Sequence, residues 1–168
     1  MMIKTENLSR EFVRGKKKFY AVDHINMEVG ENELVAVMGQ SGSGKSTFFH
    51  MLTGILKPTE GKIIILDKEI EKLNDVQLAD LRGSDLGYIM QGQNLLQNLT
   101  VMENIFIGRY PKKYGFINYS LLRRMTVKLM EQINIFISPS AYIRDLSIAQ
   151  RQLIEIIKAI SFNSNIII

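Results

Sequence analysis

The sequence predicts an α/β fold with a partly parallel sheet, and three observations support this class. Short apolar runs typical of strands alternate with segments of helical period along the 168 residues. A glycine-rich segment separates one such run from the helix that follows it. The composition, with 46% hydrophobic and 23% charged residues, suits one ordinary folded domain. In folds of this class, ligands bind at the carboxyl ends of the strands.

The first half of the chain predicts strands on either side of one helix. Residues 2–13 and 18–29 alternate in the manner of strands, and 34–38 is a short apolar run typical of a buried strand. A helix is predicted from about Gly44 to Gly54, because Gly54 and then Pro58 are stop signals. The remaining predictions are a strand at 63–66, a short helix at 75–81 and a strand at 86–90.

From about Leu99 the period becomes helical, which predicts a helical insertion. Thr100 and Glu103 form a capping-box pattern, and residues 119–133 carry apolar side chains at three-to-four spacing. Ser147 is expected to cap a helix with one apolar face, formed by Leu153, Ile156, Ile157 and Ile160. Residues 165–168 open a buried strand. We therefore expect a core at 1–91 that contains the glycine-rich segment, a helical subdomain at 92–145, and a capped helix with the start of a strand at 146–168.

Composition excludes several other classes. The chain has no cysteine, so it has neither a disulfide framework nor a thiolate metal site. No apolar tract approaches the roughly 20 residues that cross a bilayer, and the N-terminus lacks a secretory pattern. The net charge of +4 is densest around Gly15, where a solvated hairpin loop is favoured over a nucleic-acid site. His24 and His50 have no metal-ligand spacing around them. We expect any membrane link to run through a partner and expect no nucleic acid.

The strongest motif is a full match to the phosphate-binding loop, placed between a strand and a helix. Its residues are Gly39, Gln40, Ser41, Gly42, Ser43, Gly44, Lys45, Ser46 and Thr47. Glycines let the backbone curl around a β-phosphate and aim N–H groups at its oxygens. Lys45 suits the β- and γ-phosphates, and the Ser46 hydroxyl suits Mg²⁺. The alternative is a glycine-rich turn before a helix.

A phosphate loop occurs in kinases, GTPases and motors, so it does not identify the class of protein. Other motifs in the sequence do so more specifically. Residues 146–150, followed by Arg151, Gln152 and Leu153, resemble the signature of the ABC transporter ATPases. Residues 88–91 resemble their Q-loop, and 99–104 the tract after it. The resemblance implies a P-loop NTPase core with N-terminal antiparallel strands and a helical subdomain insertion, an incomplete ABC ATPase fold. A DNA-repair or chromosome ATPase of this family would need a long insertion, which the spacing excludes.

The resemblance implies roles for residues outside the phosphate loop. Ser147 would reach the γ-phosphate of ATP held by a second subunit, so that two chains enclose two nucleotides. The family has glycines where this chain has Ile148 and Ala149. Gln91 would ligate Mg²⁺, position the catalytic water and couple the site to a permease, and Phe12 would stack on adenine, with Tyr20 as the second choice. The alternatives are a plain helix cap for Ser147, a polar strand exit for Gln91 and core packing for Phe12.

The function that the resemblance implies is that of an ATP-binding subunit, which couples ATP binding and hydrolysis to transport through a membrane permease. Such a subunit lies at the cytoplasmic face of the membrane and uses ATP and Mg²⁺. Residues up to about 104 resemble lipoprotein-release and macrolide-export ATPases, whereas residues from Leu99 resemble monosaccharide importers. The Walker B aspartate, the catalytic glutamate and the switch histidine are not in the sequence. The alternative is therefore a truncated nucleotide-binding fragment that binds ATP without turnover.

Overall fold

The computed structural model describes residues 1–89 and 95–168. These residues form two compact units, Met1–Gly83 and Ser84–Ile168. Each unit contains buried apolar residues of its own. The division into parts at 1–91, 92–145 and 146–168 stays a prediction.

A small antiparallel sheet forms the first part of the first unit. β1 (Ile3–Arg14) pairs with β2 (Lys17–Val29) on one side and with β3 (Glu60–Ile65) on the other. β4 (Lys68–Glu69) continues the sheet beside β3, giving the order β2-β1-β3-β4. The strands predicted at 2–13, 18–29 and 63–66 are thus confirmed, with small differences at their ends. Leu8, Ile63 and Ile65 of this sheet are fully buried.

The basic cluster lies at the turn between β1 and β2. Gly15 has a positive φ of 65°, which lets the chain reverse tightly there. Arg14 and the lysines at 16–18 are all exposed. The predicted hairpin loop is confirmed.

Helix α1 (Lys45–Leu52) follows the glycine-rich segment and buries Phe48, Met51 and Leu52. It ends as predicted, because Gly54 has a φ of 66° and its N–H donates to the carbonyl of Met51 at 3.0 Å. A 3₁₀ turn at Ile70–Lys72 leads to helix α2 (Asp75–Ser84), which extends beyond the predicted end at Leu81. The apolar face of α1 contributes to the core of the first unit.

The strand predicted at 34–38 is wrong. This run has no regular secondary structure and no strand partner among the described residues. Leu34 is 97% exposed and Met38 is 90% exposed. Apolar and β-branched side chains favour a strand, but a strand forms only where a neighbouring chain segment takes its backbone hydrogen bonds. The sequence pattern shows the apolar side chains, but it does not show whether a neighbouring segment pairs with this run.

A parallel strand pair opens and closes the second unit. β5 (Leu86–Gly87) pairs in parallel with a strand at Ile166–Ile167, the last element of the chain. The N–H of Ile166 donates to the carbonyl of Asp85 at 3.0 Å, and Asn165 Nδ2 donates to Asp85 Oδ1 at 3.0 Å. The strands predicted at 86–90 and 165–168 are therefore present in shorter form, over Leu86–Gly87 and Ile166–Ile167, and residue 90 lies outside the described residues.

Between these strands lie helices and a short hairpin. Helix α3 (Val101–Ile105) is followed by a two-stranded hairpin of β6 (Lys112–Lys113) and β7 (Phe116–Ile117). Helix α4 (Tyr119–Gln132) and helix α5 (Ile148–Ile160) complete the unit, and the closing strand at the end of the chain is β8. Their core consists mainly of fully buried aliphatic side chains, which include Val101, Ile105, Leu122, Ile143, Ile154 and Ile157.

The capping pattern at Thr100 and Glu103 is confirmed. The Glu103 carboxylate accepts from the Thr100 N–H at 2.8 Å, and the Thr100 hydroxyl accepts from the Glu103 N–H at 3.4 Å. Beside this cap, the buried Asn104 side chain accepts from the N–H of Leu96 at 2.7 Å and donates to the Leu96 carbonyl at 3.0 Å. These contacts hold the segment before α3 in place, because they satisfy backbone N–H groups that the helix itself leaves without acceptors.

The apolar face predicted for α5 is partly wrong. Its fully buried residues are Ile154 and Ile157, whereas Ile156 is 39% exposed. The helix carries apolar residues on more than half of its circumference, so spacing alone does not identify the packed side. Among the helices that the structure describes, none has the length and apolar character to cross a bilayer.

Candidate nucleotide-binding site

The glycine-rich loop curls tightly before α1 because two of its glycines have positive φ. Gly42 has a φ of 81° and Gly44 a φ of 89°, and the N–H of Phe48 donates to the Gly44 carbonyl at 2.8 Å to begin the helix. A Cβ on Gly44 would overlap the carbonyl oxygen of Ala21 in β2, whereas a Cβ on Gly42 would meet nothing within 4 Å. Gly44 therefore needs both its backbone conformation and its missing side chain.

Lys45 folds into this loop. Its ammonium donates to the carbonyls of Gly39 and Gln40, both at 2.7 Å, and to the Ser43 hydroxyl at 3.3 Å. These contacts use all three donors of the ammonium and place its charge against the loop backbone. An anion that enters the loop can take over these donors in charge-assisted hydrogen bonds.

The N-terminus of α1 contributes to the same place. Gly44 is its N-cap residue and has no side chain to cap the first amides. Uncapped N–H groups and the positive end of the helix dipole favour an anion there. Ser46 is exposed at the second helical position, and Thr47 is half-buried behind it. The structure thus brings the predicted residues 39–47 together around one accessible loop.

Phe12 lies beside Phe19 on the β1–β2 hairpin. The strand register pairs Phe12 with Phe19 and Glu11 with Tyr20, so Phe12 and Tyr20 lie on opposite faces. Ring centroids of the two phenylalanines are 6.0 Å apart with an interplanar angle of 29°. The Arg10 guanidinium carbon lies 4.9 Å from the Phe12 ring centroid. Sequence reasoning missed Phe19 and Arg10, because neither belongs to a motif.

Ser147 caps α5 as predicted. Its hydroxyl accepts from the N–H of Gln150 at 3.2 Å, and the Gln150 side chain accepts from the N–H of Ser147 at 2.9 Å. Sequence reasoning missed the role of Gln150, although a serine followed three residues later by glutamine is a recognised capping-box spacing. Ser147 and Ala149 are exposed, and Ile148 is 70% exposed. This helix start is open to a molecule outside the chain.

Gln91, the predicted metal and water ligand, lies outside the described residues. Tyr88, which precedes it, has a pKa raised by burial. Among the residues that the structure describes, no group of three or more histidine or acidic side chains could hold a metal ion. The phosphate loop lies in the first unit and Ser147 in the second.

Residues 22–168 match the family described as ABC transporter. The chain belongs to this family. The phosphate loop and the capped helix at Ser147 both fall within the matched residues, so the resemblance seen in the motifs is confirmed.

Curated relatives match most or all of this chain. It is 34% identical over 168 residues to the galactose/methyl galactoside import ATP-binding protein MglA of Treponema denticola, which covers 100% of this chain and 32% of that protein. It is 36% identical over 148 residues to the protein of the same name from Pasteurella multocida, which covers 88% of this chain and 29% of that one. The chain therefore spans about a third of the length of these curated relatives.

Solved structures give the fold. The chain aligns with the dimeric post-hydrolysis structure of the ATP-binding cassette MJ0796 bound to ADP and phosphate, with a TM-score of 0.84 and 29% identity over 99% of this chain and 72% of that one. A nucleotide-free ATP-binding cassette from an ABC transporter aligns with a TM-score of 0.75 and 26% identity, covering 99% and 67%. The predicted α/β fold of an ABC ATPase, present in part, is confirmed.

Proposed function

We propose that this chain is the ATP-binding part of an ABC transporter subunit, which couples ATP binding and hydrolysis to transport through a membrane permease. The observation that carries the proposal is the loop at 39–47, where Lys45 and the start of α1 converge on one accessible site. Family membership supports ATP as the ligand of this loop. The solved relative MJ0796 has ADP and phosphate bound.

The loop is suited to a triphosphate. Lys45 exchanges its two backbone carbonyl acceptors for phosphate oxygens, and the uncapped amides of α1 donate to the same group. The exposed Ser46 hydroxyl is an oxygen ligand of the kind that Mg²⁺ takes, and Mg²⁺ usually keeps several waters beside substrate phosphates. Bound Mg²⁺ would neutralise phosphate charge. Gln91 is proposed as its second protein ligand on the resemblance alone.

Phe12 is the proposed adenine-stacking residue. It shares a strand pair with the part of β2 that touches Gly44, since Ala21 and Val22 approach that glycine. Tyr20 lies on the opposite face of the hairpin, which argues against it as the alternative.

The exposed start of α5 is proposed to act on a second chain. Ser147 and the first amides of this helix offer donors to an anion, and all lie at the surface. The relative MJ0796 is described as dimeric. A second copy of this cassette would bring its γ-phosphate to Ser147. Exposed Ile148 and Ala149 stand where the family has glycines, and their side chains limit how closely a nucleotide approaches.

The names of the relatives support a sugar import system rather than an export system. Both MglA proteins are described as import ATP-binding proteins for galactose and methyl galactoside. We therefore propose a monosaccharide importer, with this chain at the cytoplasmic face of a permease. The permease, the sugar and the second ATP-binding chain are the proposed partners.

A second candidate function is nucleotide binding without turnover. Binding requires only the loop at 39–47, where Lys45 and the start of α1 converge. Phosphoryl transfer requires a positioned water and a full metal environment. The two candidates share the binding site and differ only in catalysis.

Calorimetry and a phosphate-release assay on the 168-residue chain test both candidates. Saturable binding of Mg-ATP is expected, and its absence would remove the nucleotide site altogether. The two candidates differ in phosphate release, for which Lys45→Ala serves as the background, and release at the background level would favour the candidate without turnover. Release that exceeds this background would reject the candidate without turnover and leave the coupled ATPase.

A further inference from the structure

We infer that the β6–β7 hairpin contacts the surface of a bilayer, where Lys112 and Lys113 bind anionic lipid headgroups and the rings of Tyr114 and Phe116 enter the interface. This inference goes beyond the proposed function, in which the chain reaches the membrane only through a permease. It concerns the second unit alone, so it can fail while the nucleotide site stands.

The first argument is the exposure of two aromatic rings on this hairpin. Tyr114 is 90% exposed and Phe116 is 80% exposed. Lys113 and Phe116 are directly paired, so their side chains project from the same face, and the Lys113 ammonium lies 5.5 Å from the Tyr114 ring centroid. The other face carries Ile117, which packs against the core of the second unit. One cation and two rings therefore lie together at the exposed end of the hairpin.

The second argument is the backbone conformation of Tyr114. Tyr114 and Gly115 are the two central residues of the hairpin turn, with φ values of 53° and 84°. Two-residue hairpin turns of this kind usually take asparagine, aspartate or glycine at positive φ, whereas a bulky side chain is strained there. The exposed ring of Tyr114 gains little from packing within this chain. A contact outside the chain would give the ring a use at this strained position.

The third argument is charge, because the hairpin lies in a long segment whose charges are all positive. Residues 104–130 contain six basic residues and no acidic one, whereas the whole chain has 21 basic and 17 acidic residues. Lys112 and Lys113 are both exposed, and no carboxylate of the described residues forms an ion pair with either. Their charges are therefore available to an anionic surface. The six basic residues are Arg109, Lys112, Lys113, Arg123, Arg124 and Lys128.

These features fit a lipid surface better than a pocket on a protein. Each strand of the hairpin has only two residues, so its exposed end is small, and a fluid interface accepts it without a complementary shape. Aromatic rings gather at the boundary between headgroups and hydrocarbon, and an anionic leaflet attracts lysines near its surface. We therefore expect weak binding by the isolated chain, strengthened where a permease holds the chain at the bilayer.

Tryptophan fluorescence tests the insertion of the rings. The chain has no tryptophan, so Phe116→Trp introduces a single indole as a probe. Its emission should move to shorter wavelength with vesicles of equal parts phosphatidylcholine and phosphatidylglycerol, and should not move with phosphatidylcholine alone. Added salt should reverse the shift. The control is Phe136→Trp, which replaces a phenylalanine that is 85% exposed elsewhere in the same unit, and its emission should stay unchanged with both vesicles.

Co-sedimentation of the 168-residue chain with the anionic vesicles tests the role of charge. Each lysine near an anionic surface contributes a factor of roughly five, so Lys112→Ala combined with Lys113→Ala should lower the partition coefficient roughly 30-fold. The control combines Lys16→Ala with Lys17→Ala, which removes the same charge from the exposed turn between β1 and β2. This control should keep most of the affinity of wild type.

Tyr114→Asn separates lipid contact from folding. Asparagine is favoured at positive φ, so the urea midpoint of this variant should be at least as high as that of wild type. The variant lacks the ring and should bind the anionic vesicles more weakly. Wild-type vesicle affinity in Tyr114→Asn would overturn the role of the ring.

Three further results would each overturn the inference. They are an unchanged emission for Phe116→Trp, equal shifts for Phe116→Trp and Phe136→Trp, and equal losses from the two pairs of lysine substitutions. The first would leave a protein partner as the occupant of this hairpin. Calorimetric titration of Mg-ATP distinguishes this inference from the proposed function. Wild-type ATP affinity in the hairpin variants that lose vesicle binding supports the inference, whereas a wild-type chain that binds vesicles but no Mg-ATP rejects the proposed function alone.

Discussion

Replacing Gly44 by alanine should destabilise the chain more than the same change at Gly42, although both glycines have positive φ. An L-residue in this region costs about 1–2 kcal/mol of folding free energy. That cost applies equally to both positions, with φ values of 89° and 81°. At Gly44 alone, the added Cβ would also overlap the Ala21 carbonyl oxygen, which belongs to the backbone and cannot move aside as a flexible side chain can.

Relieving such an overlap costs about 1–3 kcal/mol. Gly44→Ala should therefore lose about 2–5 kcal/mol in total, and Gly42→Ala only about 1–2 kcal/mol. Urea denaturation followed by circular dichroism measures both losses from the transition midpoints. Equal losses at the two positions would refute the argument that β2 closes against the loop at Gly44.

Three further predictions concern other parts of the chain. Burial raises the pKa of the Glu71 carboxyl in the folded chain. The folded chain therefore binds this proton more tightly than the unfolded chain does. The resulting stabilisation is complete below the ordinary glutamate pKa and is lost as the pH rises through the raised value. Glu71→Gln should have a higher unfolding midpoint than wild type at pH 7 and the same midpoint near pH 4 (roughly the ordinary glutamate value). Glu69→Gln should instead lower the midpoint at pH 7, because the Lys72 hydrogen bond lowers the pKa of Glu69. Midpoint changes in the same direction for both variants would contradict this. Arg109→Lys should lower the free energy of unfolding in urea by about 1 kcal/mol, because the guanidinium donates to the carbonyls of Ile105 and Ser161 at 3.2 and 3.0 Å; an unchanged free energy would reject this bridge. Ser147→Arg should leave the ATP affinity of the monomer unchanged and reduce ATP-dependent dimerisation in analytical ultracentrifugation; loss of ATP binding by a monomer would reject the role across two chains.

Local motifs were predictable because residues close together in the sequence determine their backbone conformation. The phosphate loop and α1 follow from the glycine spacing and Lys45, and the caps at Thr100 and Ser147 follow from one hydroxyl before a helical period. The hairpin turn at Gly15 was predictable for the same reason. In each case the residues that decide the structure are neighbours in the sequence.

Features that depend on distant partners were not predictable. The run at 34–38 has strand character, but no described strand takes its hydrogen bonds. The packed side of α5 was misassigned because Ile154 and Ile156 are equally apolar, and only tertiary contacts select Ile154. Phe19 was missed because register shifts along β1 and β2 decide which residue faces Phe12.

The central claim is that the loop at 39–47 binds the phosphates of ATP through Lys45. Lys45→Ala removes a charged donor, and it leaves only exposed carbonyls of Gly39 and Gln40 that water can satisfy. Folding should therefore be little affected, whereas Mg-ATP affinity should fall by about 1.5–3 kcal/mol, or roughly 10- to 150-fold. The control is Lys62→Ala, an exposed lysine on β3 of the same unit.

Calorimetric titration of Mg-ATP into wild type, Lys45→Ala and Lys62→Ala is the most direct measurement of this claim. The account predicts a loss confined to Lys45→Ala, with wild-type affinity for Lys62→Ala. Unchanged affinity in Lys45→Ala, or the same loss in both variants, would contradict it.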